Sequence, residues 1–117
     1  MRSTGNDFEQ RASTELERAG LKPLARNYTT RHGELDLVML DRDTVVFVEV
    51  RYRMHAGHGD ALASITHSKQ DKLIRTAQLW LAAHPQYAQR SCRFDVIGYD
   101  GPADDAHMEW LRGAFEA

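Results

Sequence analysis

Apolar and polar positions repeat along this chain with two different periods, and the switches between them mark the elements. Over residues 7–19, Phe8, Ala12, Leu16 and Ala19 recur at helical spacing and Gly20 follows as a stop. This predicts a first helix. After Pro23 the period shortens to two, and LARNYTT, GELDLVML and TVVFVEVRYR read as three strands, the last two joined by the polar Asp41, Arg42 and Asp43. Their order predicts an antiparallel meander. Residues 54–63, MHAGHGDALA, show no clean period and read as a loop. From Ser64 or Ser68 to His84, the positions Leu73, Ile74, Ala77, Leu79, Trp80 and Leu81 predict a second helix that Pro85 ends. Ser68 with Asp71 resembles a capping box, and Thr66 is an equal candidate for the start. RFDVIGY, residues 93–99, is a further strand, which the strand–helix–strand order lays parallel to TVVFVEV. Residues 107–115 fit either an edge strand or a helix.

At 117 residues, 42% apolar and 27% charged, the chain fits a single domain over residues 1–117, one sheet covered by a few helices. It lacks the apolar run of about 20 residues that a membrane span requires. The opening MRSTGNDFEQ has no signal-peptide core, and Cys92, the only cysteine, cannot form an internal disulfide, so a cytoplasmic location is expected. The net charge of −2 does not by itself suggest a nucleic-acid binder. Arg26, Arg31, Arg42, Arg51 and Arg53 nevertheless crowd one stretch of the chain.

The informative charges fall inside the two most apolar strands. By alternation Asp36 shares a face with Glu34 and Val38, while Glu49 and Arg51 share one with Val45 and Phe47. In a hairpin these groups meet. The run VVFVEV implies a strand covered on both sides, where an ionised carboxylate is costly unless it is paired or holds a metal. Two carboxylates beside a cation suit phosphodiester hydrolysis: with a strand carbonyl they offer hard oxygen ligands to Mg²⁺ or Mn²⁺, and the cation opposes negative charge in the transition state. The bland alternative is an ion pair of Arg51 with Asp36 or Glu49. His55 and His58 form an H-x-x-H without a helix to align it, a weak zinc set. Trp80 is simplest as core, Tyr28, Tyr52 and Arg53 fit either packing or nucleic-acid contacts, and Asp95 is a partner for Arg93.

GELDLVML, VVFVEVRYR and RFDVI, with Gly5, Glu9 and Lys69, resemble the YraN family of bacterial proteins. That family is in turn similar to archaeal Holliday-junction resolvases and to the PD-(D/E)XK nucleases. The resemblance spans residues 5–97 and implies a restriction-endonuclease-like α/β fold, an α-β-β-β-α-β core with a mixed central sheet flanked by helices. It casts Asp36 as the motif aspartate, Glu49 as the glutamate of E-x-K, Glu9 as the helix acid, and the Val50 carbonyl as a further metal donor. Glu34 belongs to the GE(I/L)D segment, as a water or DNA contact or as part of the turn at Gly33. The last position of E-x-K is Arg51, so Lys69 or Lys72 is the replacement cation and Gln70 a candidate to orient water. A Mg²⁺- or Mn²⁺-dependent endonuclease on branched or structured DNA is therefore the leading expectation, with Arg53 and Gln70 as substrate contacts and a homodimer implied by the resemblance. A nucleic-acid-binding module without catalysis and a protein-interaction domain are the alternatives.

Overall fold

The computed structural model describes residues 4–54 and 59–117, with side chains from residue 7 onward. In chain order the elements are α1 (Thr4–Arg18), β1 (Lys22–Thr30), β2 (Gly33–Asp41), β3 (Thr44–Arg53), the single turn α2 (Asp60–Ala63), α3 (His67–Ala83), β4 (Cys92–Asp100) and β5 (His107–Phe115). This is the expected α-β-β-β-α-β order with the short α2 and one strand added. The sheet runs β1-β2-β3-β4-β5. It is mixed, because β3 and β4 are parallel and every other neighbouring pair is antiparallel.

Period-two alternation sends the residues of β3 to two different layers. Val46 and Val48 pack with Phe8, Ala12 and Leu16 of α1, while Val45 and Phe47 pack with Leu73, Ala77 and Trp80 of α3. Both faces of β3 are covered, as its apolar run requires. Trp80 is core, and its indole meets Phe47 edge to face at 5.9 Å between ring centroids.

Several boundaries differ from the sequence expectations for identifiable reasons. The first helix stops at Arg18, and Ala19 is exposed. Gly20, at φ +98, donates to the Glu17 carbonyl and Leu21 to the Leu16 carbonyl, so Leu21 rather than Ala19 completes the apolar stripe. Thr66, not Ser64 or Ser68, caps α3, its hydroxyl accepting from the Lys69 N–H at 3.2 Å. The stretch read as a loop holds α2 at its end. Asp100 folds that turn by accepting the Gly59 and Ala61 N–H groups at 2.9 and 2.8 Å, from 41 and 39 residues away. His55 and His58 lie outside the described residues. The ambiguous tail is a strand, anchored by the fully buried Asp95, which accepts from Trp110 Nε1 at 2.9 Å and the Gly113 N–H at 3.0 Å while pairing with Arg93.

Candidate metal and phosphodiester site

Backbone pairing of β2 with β3 runs from Asp41↔Thr44 to Leu37↔Val48 and ends there, one step before Asp36 would meet Glu49. The alternation of β2 breaks at the same place. Leu37 and Met39 lie in the α1 layer and Val38 in the α3 layer, yet Leu35 joins the α3 layer with Leu73 and Trp80. Asp36 therefore does not share a face with Val38, as strict alternation requires. It sits at the fork where the strands part, and its Oδ2 accepts the Val50 N–H at 2.9 Å in place of a ladder bond.

From that fork Asp36 reaches acidic groups on both sides of the sheet. Toward α1, oxygens of Asp36, Glu34 and Glu9 lie within 4.8 Å of one another. Toward α3, Glu49 shares a hydrogen bond with Asp36. Three carboxylates from α1 and β2 thus converge, and Glu49 of β3 adjoins them through Asp36. Burial, and then the Asp36 charge, push the Glu9 carboxyl up to about 7; Glu34 adds to the rise, while Arg26 and the Asn27 amide oppose it. Burial also pushes Glu49 up to about 9, with the charge and hydrogen bond of Asp36 adding and Arg51 and Lys69 opposing.

The cations expected at the site divide into two groups. Arg51 Nη1 stands 3.5 Å from Glu49 Oε2, both side chains largely buried, and its Nε donates to Ser64 Oγ at 2.9 Å. The ion pair is with Glu49, while Ser64 takes the Nε donor. Lys69, in the first turn of α3, acts on Glu49 through its charge. Arg53 is exposed at the end of β3, where its Nη1 donates to the Tyr52 carbonyl, and Gln70 is half-buried in α3. The structure brings neither to the carboxylates among the described residues. Tyr52 stacks on Phe8 at 4.0 Å, and Tyr28 packs in the α3 layer, so both serve the core.

Two participants escape the sequence reading. Asn27 lies in β1 at φ +54; with its NH₂ turned to the acids, it donates to Glu9 Oε1 at 2.8 Å and Glu34 Oε1 at 3.1 Å. The sole signal in the sequence is an asparagine, a residue tolerant of positive φ, inside a strand. Ser64 holds Arg51 and in turn donates to the Ala61 carbonyl.

The donor chemistry suits a hard divalent cation: carboxylate oxygens only, crowded enough that burial and mutual repulsion push Glu9 and Glu49 up. Among the described residues no helix is long and apolar enough to cross a membrane.

The model of the family described as "Uncharacterised protein family UPF0102" matches residues 8–99, which hold all four carboxylates. A UPF0102 protein of Stutzerimonas stutzeri (strain A1501) is 51% identical over 115 residues, covering 98% of this chain and 96% of the relative. One of Pseudomonas fluorescens is 50% identical over 115 residues, covering 97% and 94%. One of Alcanivorax borkumensis is 45% identical over 115 residues, covering 97% and 92%.

Proposed function

The chain belongs to the uncharacterised protein family UPF0102, and from its forked carboxylate site we propose that it is a Mg²⁺- or Mn²⁺-dependent endonuclease acting on structured or branched DNA. The observation that carries this reading is Asp36, set at the parting of β2 and β3 so that acids on both faces of the sheet converge on it. Asp36, Glu49, Glu9 and Glu34, with the Val50 carbonyl, are the residues that would hold the ion. When bound, such an ion polarises a phosphate oxygen and acidifies a water.

The chain's own groups supply the rest. Val50 fixes Asp36 through its N–H, and Asn27 fixes Glu9 and Glu34 through its amide, so the oxygens are oriented before any ligand arrives. Arg51 and Lys69 stand beside Glu49 and oppose the negative charge that builds up on an attacked phosphodiester. Neither side chain needs a partner from another molecule to reach this position.

Purified protein incubated with duplex, flap and four-way-junction DNA in Mn²⁺ is expected to cut, and Asp36→Asn to abolish cutting. Equal cleavage by Asp36→Asn would sink the assignment. A second reading, a nucleic-acid-binding module without catalysis, rests on the hydrogen bond of Arg51 Nε to Ser64, which commits one of the guanidinium's donors away from the acids. Arg51→Lys separates the two: an ammonium freed from Ser64 raises cleavage by a working site and leaves an inert one inert.

A further inference from the structure

A row of cations leads away from the carboxylates along α3. Lys69 lies near enough to Glu49 for its charge to act there, and Lys72 and Arg75 follow at three-residue steps, all three side chains exposed. Six residues of helix carry the row about 9 Å along the axis. Beside its far end stands the turn joining β1 to β2. Arg31 and His32 of that turn, with Ser68, Asp71, Lys72 and Arg75 of α3, surround an open concavity of about 740 Å³.

The walls of this concavity are fixed. His32 donates its N–H to Thr30 Oγ1 at 3.0 Å, and Thr30 Oγ1 donates to the Gly33 carbonyl at 3.2 Å, which closes the turn on itself. Gly33 passes so close to α3 that a Cβ there would stand 3.1 Å from Thr76 Oγ1 and 3.8 Å from Lys72 Cβ. The buried Thr76 hydroxyl is bound to the Lys72 carbonyl at 2.8 Å. Turn and helix backbones, which carry these cations, are therefore held against each other.

The charges on these walls are not balanced from within. Arg31, Lys72 and Arg75 line the concavity with one acid, Asp71. Arg18, Arg51, Arg90 and Arg93 by contrast all pair with carboxylates. Among the described residues, Arg31, Lys72 and Arg75 form no ion pair. Three cations without an ion pair, set around one concavity on a chain of net charge −2, make a local positive patch suited to a polyanion.

We propose that the concavity between the β1–β2 turn and α3 seats the sugar–phosphate backbone of a nucleic-acid strand, with Arg31, Lys72 and Arg75 on phosphates flanking the bond presented to the carboxylates. The destination of the strand rests on the nuclease reading. The binding does not.

Anisotropy of fluorescein-labelled single-stranded and duplex DNA, in EDTA over a salt series, tests the groove. Lys72→Gln with Arg75→Gln is expected to lower affinity about tenfold at low salt and to flatten the log–log salt slope by about 2, one unit for each phosphate that is no longer neutralised. Arg18→Gln with Lys22→Gln makes the same charge change at the opposite end of β1 and is expected to alter neither. Wild-type affinity and slope in the Lys72/Arg75 variant, or an equal loss in the control, would overturn the proposal. So would polyglutamate binding as tightly as DNA with the same dependence on Lys72 and Arg75, which would assign the groove to acidic peptides. Hydrolysis of bis(p-nitrophenyl) phosphate in Mn²⁺, too small a diester to span the groove, separates this proposal from the nuclease reading. Groove-dependent binding by a wild-type protein that hydrolyses neither DNA nor this ester supports the groove and removes the nuclease. Hydrolysis by wild type, with binding indifferent to Lys72 and Arg75, does the reverse.

Discussion

Glu9 and Glu49 are held above their ordinary protonation range by burial and by Asp36, and this makes the stability of the ion-free protein depend on pH in a definite direction. For Glu9 the folded value, about 7, exceeds the ordinary 4.5, so the folded state binds the proton more tightly than the unfolded chain. The resulting stabilisation is complete below about pH 4.5 and is lost as pH rises through about 7. Glu49, raised from 4.5 to about 9, acts in the same sense over a range that extends further up. Chemical denaturation between pH 5 and 8 is expected to show the midpoint falling with pH, and Glu9→Gln to flatten that fall. An unchanged slope in Glu9→Gln would place the titration elsewhere. Asp36 and Glu49 were legible from strand periodicity and motif, because a charge inside an apolar strand is conspicuous. Asn27 was not: its role depends on a positive φ and on a helix acid that folding brings close, and neither leaves a mark on a periodicity of two.

At the scale of elements, α1, α3 and the first four strands follow from local pattern, whereas α2 and β5 depend on acids distant in sequence. Asp100 organises α2 by taking two of its backbone N–H groups, and nothing within the glycine-bearing stretch itself announces a helical turn. Asp95 settles the state of the tail in the same manner. Asp95→Ala would leave Arg93, the Trp110 indole and the Gly113 N–H without their buried acceptor. That change is expected to cost about 3–5 kcal/mol, the range found when one partner of a buried pair is removed. Hydrogen exchange should locate the damage first in β5. Gly98→Ala is a second test, since a Cβ there would meet Ala61 Cβ at 3.0 Å and the Leu62 backbone nitrogen at 3.2 Å. It is expected to displace α2 and release Ser64 from Arg51, changing the environment of Glu49 from a site outside the carboxylate cluster.

For the molecule as a whole, acids from α1, β2 and β3 come together only when the chain is folded, so the ion proposed for them would stabilise the fold by mass action. At 100 times its Kd, Mn²⁺ is expected to add about 2.7 kcal/mol, read as a rise in Tm of several degrees that EDTA reverses and Asp36→Asn removes. The same topology sets a constraint on chain length. Asp36 lies five residues before Asp41 and Glu49 five after Thr44, the pair that closes the β2–β3 hairpin, so the two acids come level because the arms are of equal count. The Arg42 and Asp43 bend, with Arg42 at φ +56, is thus a ruler as well as a connector. Replacing its side chains leaves the measure intact. Inserting or deleting a single residue there would put the arms out of step and direct Glu49 or Asp36 to the wrong layer, so over time this hairpin can drift in composition but not in length.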